Sequence, residues 1–431
     1  MALDFGLPAN ARPETLAEVG EVETLRRIFP RLPHASTELL GPGDDAAVLA
    51  APDGRYVVTT DMMIHGPDFR AAWSTAHDLG WKAAMTNLAD VAAMGARPTA
   101  LVVAIAAPLD TPVEVLLGIA DGLRDACEAA APGCGVAGGD LSVSATLTLA
   151  VTAFGDLEGR TPVTRAGAQP GDVVAVAGAL GRAGAGIWLL FRDGVVRHAG
   201  GAARTASPAG GALSSRAGSD VVGEHTAGAA TDAGGAHTSQ AATEATEAGG
   251  AGAGLRPRDV VDASGVSDAS APPAEPDAVL GAVLRREHAD LLEAQLAPTA
   301  PIASGVEAAL GGATAMLDVS DGLVLDARRI AQASGCVIRF DPGAIAREAR
   351  ALLDLDAIVG DHAADFVLTG GEDHALLATF PPGVPLPQGF RRLGEVGAVP
   401  SGAAPQVLIG DRPYDDRAGW DPYADWDGQA G

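Results

Sequence analysis

The chain has 431 residues, with 29 Lys+Arg against 55 Asp+Glu and a net charge of −26. Nucleic-acid binding draws its affinity from clustered cations, and this chain contains a single lysine, Lys82. The composition therefore argues against a nucleic-acid partner and against a phosphate-binding loop of the G-x-x-x-x-G-K-[ST] type, which requires a lysine. Any phosphate bound here must be held by metal ions, arginines or backbone amides.

Length and residue usage also bear on domain count and compartment. With 47% hydrophobic residues the chain can bury a large core, and its length predicts two domains or more. No apolar run reaches the roughly 18 residues of a membrane span, and the N-terminal stretch with Asp4 and Pro8 predicts no secretory signal. Cys127, Cys134 and Cys336 form no C-x-x-C pair, so we expect reduced thiols in the cytoplasm.

Predicted strands and helices alternate along the chain. Apolar runs predict strands at 56–61, 101–106, 145–154, 172–177, 313–319 and 337–341. Helical patterns cover 73–94, 112–130, 182–191 and 322–334. The first helix has Ser74 or Thr75 as its N-cap, and we expect Asp78 to pair with Lys82 at i+4. This alternation predicts an α/β or α+β fold.

Residues 200–277 differ in composition from the rest of the chain. They are rich in Gly, Ala, Ser and Thr, and no aromatic residue occurs between Phe191 and Phe340. Such a segment cannot bury enough apolar surface to offset a backbone ordering cost of about 1–2 kcal/mol per residue. We therefore predict a disordered insertion within the second half of a two-domain protein.

Carboxylates recur beside glycines, threonines or serines in several short motifs. These are GPGDD ending at Asp45, TTD ending at Asp61, NLAD ending at Asp90, GGD ending at Asp140, and DVSDG with Asp318 and Asp321. Each alone is typical of a turn, because Asp and Gly favour turn conformations. Ser320 or Asp321 also suits the N-cap of the helix that begins at Gly322.

Asp90 is harder to explain as a turn or a cap. It lies inside a helix rich in Ala, Leu and Met, with Asn87 and Met94 as its neighbours on the same face. A buried carboxylate requires a partner, and no basic residue lies within one helical turn. Hard oxygen donors without a Cys or His cluster favour Mg²⁺.

Strand periodicity places further oxygen ligands together. Thr59 and Asp61 share one face of their strand, Thr60 points to the other face, and Asp61 is expected at the strand end. Asp318 and Ser320 likewise share a face, followed by Asp321 at the turn. The two strand ends can present several carboxylates to one cleft.

The ordered series GPGDDAAVL, VVTTDMMIHGPDF, DLGWKAAMTNLADVAAMGARP, GVAGGD, TRAGAQPGDVVAVAGALGRAGAG, DVSDGLVLDARRI and LTGGEDHALL resembles the thiamine-monophosphate kinase family. That family is part of the aminoimidazole ribonucleotide synthetase superfamily, which binds ATP without a phosphate-binding loop. The resemblance implies a PurM-like fold, with an N-terminal domain at 1–157 and a C-terminal domain at 158–431 interrupted by the insertion. It also implies a homodimer formed through N-terminal strands.

The implied reaction transfers the γ-phosphoryl group of ATP to thiamine monophosphate, giving thiamine diphosphate and ADP. By motif, the resemblance assigns ATP contacts to Gly139, Asp140, Arg165 and Ser320, and substrate contacts to Asp68, Glu372 and Trp420. It assigns several Mg²⁺ ions to Asp45, Thr59, Thr60, Asp61, Asp90, Asp140, Asp318 and Asp321. The attacking phosphate has a second pKa of about 6, so no catalytic base is required.

The sequence departs from the family pattern at three places. The His expected shortly after TTD is replaced by Asp68 in Gly66-Pro67-Asp68-Phe69, and arginines expected after GGD and before DVSDG are absent. Two alternatives therefore remain: a non-catalytic homologue that binds thiamine phosphates or nucleotides, and another ATP-using enzyme of the superfamily.

Overall fold

The computed structural model describes Phe5, residues 13–42, 46–197 and 274–414, and Gly419. The helices are α1 Leu16–Val19, α2 Glu21–Ile28, α3 Ala76–Ala93, α4 Val113–Ala130, α5 Arg182–Asp193, α6 Ala278–Glu287, α7 Ala289–Leu296, α8 Ile302–Leu310, α9 Leu323–Ser334, α10 Pro342–Leu355 and α11 Ala363–Thr369. Short 3₁₀ helices lie at Phe29–Arg31 and Ala357–His362.

The strands are β1 Glu38–Leu40, β2 Val48–Leu49, β3 Val57–Ile64, β4 Arg97–Ala107, β5 Gly135–Val143, β6 Thr148–Asp156, β7 Val173–Ala177, β8 Val195–Arg197, β9 Ala274–Pro276, β10 Ala315–Val319, β11 Val337–Phe340, β12 Ala375–Phe380, β13 Arg391–Gly397, β14 Gln406–Ile409 and β15 Arg412–Pro413. The prediction of a mixed α/β fold is confirmed. None of the helices within the described ranges has the length and apolar character needed to span a membrane.

Two of the sequence predictions near the carboxylate motifs are wrong. Asp61 does not end its strand, because β3 continues through Met62 and Met63 to Ile64. The GGD motif is not a turn but lies inside β5, where the register against β4 shifts between Leu101 and Val102. Glycine is required there, since a Cβ on Gly139 would lie 2.0 Å from the Val103 carbonyl oxygen.

A four-stranded sheet has the order β3-β6-β4-β5, with β4 and β5 parallel and the other pairs antiparallel. One face of this sheet carries apolar residues that join the core with α3 and α4, such as Val103, Val151 and Met63. The opposite face exposes Val58 and Met62 to solvent, at 55% and 57% of their surface. Strand alternation thus separates a core face from an open face.

A second sheet has the order β10-β12-β7-β13-β11-β14-β15. Its central strands are apolar at consecutive positions, which is typical of a sheet covered on both faces. Leu376 and Ala378 share a core with α3 and α8, whereas Ala375 and Leu377 share the other core with α5 and α9. Met316 faces the α3 side of β10, and so by alternation does Asp318.

Helix α3 is the element between the two sheets. It packs against β3 and β6 on one side and against β10 and β12 on another, and most of its residues are buried. A helix buried on nearly all sides needs apolar or small residues throughout. Several polar side chains of α3 therefore find partners in other elements, as His77 does with Asp125 of α4 and Thr86 with His374.

Thr75 begins α3 as its N-cap, one of the two residues predicted for that role, and exchanges hydrogen bonds with Asp78. The predicted Asp78–Lys82 pair is wrong. Asp78 instead pairs with Arg285 from α6 at 2.6 Å. The i+4 rule applies to solvent-facing pairs, but here both residues are buried and meet partners from other elements.

The predicted disordered segment at 200–277 lies almost entirely outside the described residues. Its last residues are described: Ala274–Pro276 form β9, which pairs antiparallel with β8 at Val195–Arg197. Asp277 then caps α6 by accepting from the Leu280 amide. The last residues of the predicted insertion, 274–277, are therefore ordered rather than disordered.

Helices α3 and α4 pack closely through glycines, which gives a stability prediction. A Cβ on Gly122 would lie 2.0 Å from the His77 carbonyl oxygen. We expect Gly122→Ala to reduce the free energy of unfolding by about 1–3 kcal/mol, as overpacked cores do. Denaturant titration measures this change, with Glu128→Ala on the exposed face of α4 as a control expected to stay within about 0.5 kcal/mol. Equal stability of the two variants would contradict close helix contact.

Candidate active site

Three polar residues form a row along α3. Lys82, Thr86 and Asp90 are spaced at i, i+4 and i+8, which places them on one side of a helix over about 12 Å. Each has a partner outside the helix. Lys82 pairs with Glu372, Thr86 with His374, and Asp90 with Thr59.

Asp90 lies in a cluster of carboxylates. The Thr59 hydroxyl donates to Asp90 Oδ2 at 2.9 Å, so β3 supplies a hydrogen bond but no positive charge. Burial, and then the negative charges of Asp318 and Asp61, raise the pKa of the Asp90 carboxyl to about 7. The sequence-based expectation that Asp90 is an unusual buried carboxylate is therefore consistent with its surroundings.

Asp61 and Asp318 reach this cluster from the two sheets. Asp61 shares a strand face with Thr59, while buried Asp318 extends from the α3 side of β10. The surrounding protein raises the pKa of the Asp61 carboxyl; His374 opposes that effect, and the charges of Asp318 and Asp321 add to it. The structure thus brings Asp61, Asp90, Asp318 and Asp321 within range of each other's charge.

His374 is a member of the cluster that the sequence analysis missed. Its Nδ1 lies 3.1 Å from Asp318 Oδ2 and its Nε2 lies 3.2 Å from the Thr86 hydroxyl. Burial alone would lower the pKa of this imidazole, but the Asp318 carboxylate outweighs burial and the pKa is raised. Its position two residues after Glu372 was the available signal, although a sequence does not show which strand end it faces.

The loop between β10 and α9 is stabilised by a residue other than the predicted N-caps. Neither Ser320 nor Asp321 caps α9; Asp326 accepts from the Asp321 and Gly322 amides at 3.0 and 3.1 Å. Arg329 pairs with Asp321 at 2.5 Å and also contacts Asp326. Arg329, which the sequence analysis did not select, therefore provides a positive charge at the acidic loop.

Glu372 lies at the other end of the α3 row. Its Oε1 is 2.9 Å from Lys82 Nζ, and its Oε2 accepts from Gln295 Nε2 at 2.5 Å. Asp68 accepts from the Ile64 amide at 2.7 Å and lies near enough to interact electrostatically with Lys82 and Glu372. Asp68 and Glu372, both selected as substrate contacts, are thus in one neighbourhood.

Other selected residues are not brought to this cluster. Thr60 points to the open face of the sheet, where Thr152 donates to its hydroxyl oxygen. Gly139 and Asp140 lie on β5, three strand spacings or about 14 Å from Asp61. Arg165 lies beside Ser334, at the far end of the 12-residue helix α9 from Asp321. Asp45 and Trp420 lie outside the described residues.

An apolar cavity adjoins the GGD motif. It lies between α2, α4 and strands β4 and β5, and its lining includes Leu25, Phe29, Leu123, Gly139 and Asp140. Small-molecule sites commonly combine an apolar wall with a few polar groups at the rim. Gly139 and Asp140 contribute to the edge of this apolar cavity, while alternation along β5 places the Asp140 side chain toward the open face of the sheet.

The clustered residues suit a hard divalent cation in their chemistry. Asp61, Asp90, Asp318 and Thr59 offer only oxygen donors, and their mutual repulsion is relieved by a bound cation. Within the described ranges, no three Asp, Glu, His or Cys side chains already lie close enough together to form a metal site. The donor set thus suits Mg²⁺ in its chemistry and charge, although the described side chains do not yet converge as metal ligands.

The raised pKa of Asp90 predicts a pH-dependent stability change. In metal-free buffer the wild-type protein should lose stability between about pH 4 and pH 7, because the unfolded carboxyl releases its proton more readily. Asp90→Asn removes the cost of ionising this carboxyl in the folded state. The Tm of the variant should therefore exceed that of wild type at pH 8, by about 2–4 °C for each kcal/mol of added stability. At pH 4 the two Tm values should be equal. Thermal melts at both pH values check this. The exposed Asp110→Asn serves as control, and a lower Tm for Asp90→Asn at pH 8 would contradict the account.

The chain is similar to several known proteins. The family model for the AIR synthase related protein, N-terminal domain, matches residues 43–157. A thiamine-monophosphate kinase of Mycobacterium tuberculosis (strain H37Rv) is 35% identical over 415 residues, covering 96% of this chain and 95% of the relative. That of Corynebacterium glutamicum is 32% identical over 403 residues, covering 92% of each.

Solved structures share the fold. The thiamine-monophosphate kinase of Stenotrophomonas maltophilia K279a has a TM-score of 0.58 at 24% identity, covering 92% of this chain and 98% of that chain. AaThiL complexed with AMPPCP and TMP has a TM-score of 0.56 at 23% identity, covering 87% and 90%. With relatives above 30% identity over nearly the full length, the chain belongs to the thiamine-monophosphate kinase family.

Proposed function

We propose that this chain transfers the γ-phosphoryl group of ATP to the phosphate of thiamine monophosphate, giving thiamine diphosphate and ADP. The relatives at 32–35% identity are named for this activity, and AaThiL, which shares the fold, was solved with AMPPCP and TMP. The structural observation that supports the proposal is the proximity of three carboxylates from α3, β3 and β10. The charges of Asp318 and Asp61 are near enough to raise the pKa of Asp90. Such a cluster suits the joining of two anions through cations.

Mg²⁺ would be held by the carboxylates and hydroxyls selected from the sequence. Bound Mg²⁺ ions screen the charge of two phosphate groups that approach each other. Thr59 and His374 fix the side chains of Asp90 and Asp318, so these carboxylates keep one orientation. The proposed ligand set is Asp45, Thr59, Thr60, Asp61, Asp90, Asp140, Asp318 and Asp321.

Proton transfer makes little demand on the protein in this reaction. The second pKa of a phosphate monoester is about 6, so the attacking oxygen is already ionised at neutral pH. The protein then has to align the two reactants and to offset the repulsion between their negative charges. Buried His374 serves this task by holding Asp318 rather than by accepting a proton from substrate.

ATP would contact Gly139, Asp140, Arg165 and Ser320. The cavity beside the GGD motif supplies an apolar wall suited to a planar base, and Ser320 lies in the loop that carries Asp321. Asp68, Glu372 and Trp420 would contact thiamine monophosphate, whose thiazolium ring is cationic. A carboxylate and an aromatic face both attract such a ring, the latter by about 0.5–2 kcal/mol.

A second copy of the chain would cover the open face of the four-stranded sheet. Val58 and Met62 expose apolar surface there, beside Thr60. Asp140 lies on the same open face across the sheet, so a homodimer formed on this face would also enclose two of the proposed ligands. We place this enzyme in the cytoplasm, in keeping with its three free, buried cysteines.

The direct assay incubates purified protein with ATP, Mg²⁺ and either thiamine monophosphate or free thiamine. We expect thiamine diphosphate from the monophosphate alone. Binding of thiamine monophosphate without turnover would favour a non-catalytic homologue, and product from free thiamine would indicate a different reaction.

A variant locates the site. Asp318→Asn keeps the side-chain shape and an acceptor for His374 but removes a charge. We expect kcat to fall by at least about a hundredfold, since the charge stabilisation by a metal ion is worth several kcal/mol and each 1.4 kcal/mol is a factor of ten. Asp365→Asn, at an exposed position of α11, is the control. Wild-type rates in Asp318→Asn would remove this residue from the metal site.

A further inference from the structure

Lys82 is the only lysine of the chain, and it is buried on α3 with 5% of its surface exposed. An ammonium group in such a position is costly unless it is paired and hydrogen-bonded. Lys82 Nζ meets both conditions, because it lies 2.9 Å from Glu372 Oε1 and donates to the Gln295 carbonyl oxygen at 3.1 Å. The Lys82 ammonium is therefore bound by Glu372 and by Gln295, which itself donates a hydrogen bond to Glu372.

Two helices hold the Glu372 carboxylate, and a loop holds its backbone. Lys82 from α3 holds one oxygen, and the Gln295 amide from α7 holds the other at 2.5 Å. The backbone is held as well, since the Glu372 amide donates to the Ser320 carbonyl at 2.7 Å. Glu372 has a φ of 66°, a left-handed conformation that a non-glycine residue adopts at a cost, so its position depends on these contacts.

The carboxylate nonetheless remains open to a ligand. About 38% of the Glu372 side chain is exposed, whereas only 7% of the Lys82 side chain is. A carboxylate offers about four lone-pair sites, and the two contacts above occupy two of them. The Glu372 carboxylate therefore has lone pairs accessible to a ligand from solvent, whereas Lys82 is buried and holds the carboxylate from the protein side.

We propose that Lys82 is a positioning residue for substrate: with Gln295, its ammonium holds the Glu372 carboxylate at the site where it contacts the cationic thiazolium ring of thiamine monophosphate. This inference rests on the proposed function and extends it to a residue that does not itself touch the substrate. Lys82 lies eight residues, or about 12 Å, from Asp90 along α3. Its effect should therefore appear in binding of thiamine monophosphate and not in phosphoryl transfer.

The charge state of Glu372 supports the same role. Burial alone would raise the pKa of the Glu372 carboxyl, but the charge and hydrogen bond of Lys82, with the Gln295 amide, outweigh burial and lower the pKa. Without Lys82, burial favours the neutral acid and the carboxyl is free to turn away. In either case the cationic ring loses a fixed negative partner.

The test is a double-mutant cycle with Lys82→Met and Glu372→Gln. We expect each single variant to raise the KM for thiamine monophosphate about tenfold, with the KM for ATP and kcat within about twofold of wild type. The double variant should resemble Glu372→Gln alone, because Lys82 acts through Glu372 and the two effects are not additive. Lys82→Arg should recover part of the loss.

Arg285→Met is the matched control, because it removes a cation that pairs with Asp78 on the same helix without contacting Glu372. It should leave the KM for thiamine monophosphate within about twofold of wild type. A neutral substrate analogue, in which a carbon replaces the ring nitrogen of the thiazolium, gives a second readout. Wild type should bind the cationic substrate more tightly than this analogue, and Lys82→Met should lose most of that preference.

Three results would overturn the proposal: equal rises in both KM values, a further loss when Lys82→Met is added to Glu372→Gln, or an unchanged preference for the cationic ring. If Lys82→Met alone does not fold, the double variant and Glu372→Gln decide, since the double variant removes both charges and the amide oxygen introduced by Glu372→Gln still accepts a hydrogen bond from Lys82. If wild type does not phosphorylate thiamine monophosphate, the proposed reaction fails. Calorimetric Kd values for thiamine monophosphate then replace KM in the same cycle. A non-additive weakening of binding by Lys82→Met and Glu372→Gln supports the role of Lys82, and additive effects refute it.

Discussion

The central constraint on this site is the electrostatic repulsion among neighbouring carboxylates, of which Asp318 is buried and Asp90 is partly buried. Asp90, Asp61 and Asp318 arise from three elements that belong to no common motif, and the fold places them where each raises the cost of ionising another. Thr59 and His374 relieve that cost only in part. Such an arrangement is unfavourable for stability alone, which is why it points to a function that adds cations to the site.

Helix α3 makes this arrangement possible. It lies between the two sheets, and glycines such as Gly80 and Gly122 let it approach α4 closely on a further side. Its polar row of Lys82, Thr86 and Asp90 is therefore held by packing on several sides. The row links an acidic cluster suited to divalent cations with an ion pair suited to a cationic ring. A single helix therefore sets the distance between the two halves of the proposed reaction.

The sequence predicted most of the elements around this site, since amphipathic and apolar periodicities mark α3, α4, α9 and the strands β3, β6 and β10. It also marked Asp90 as a carboxylate without a local partner. It did not predict β5, because two adjacent glycines suggest a turn, whereas close approach of the Val103 carbonyl requires glycine within a strand.

Long-range partners could not be predicted from the sequence. The i+4 rule gave Lys82 the wrong partner. Asp78 pairs with Arg285, some 200 residues away in sequence, and Lys82 pairs with Glu372, some 290 residues away. His374 was missed for the same reason, since its contacts with Asp318 and Thr86 depend on the packing of β10, β12 and α3. Family resemblance selected Thr60, Asp140 and Arg165 by motif, yet within one chain the fold places them away from Asp90.

The central claim is that Asp61, Asp90 and Asp318 exist to bind divalent cations together with phosphates. Crystals grown with Mn²⁺, AMPPCP and thiamine monophosphate test it directly, because the anomalous scattering of manganese locates the metal ions. The account predicts anomalous peaks in contact with these three carboxylates and with phosphate oxygens of both ligands. Peaks elsewhere, with the three carboxylates touching neither metal nor phosphate, would contradict it.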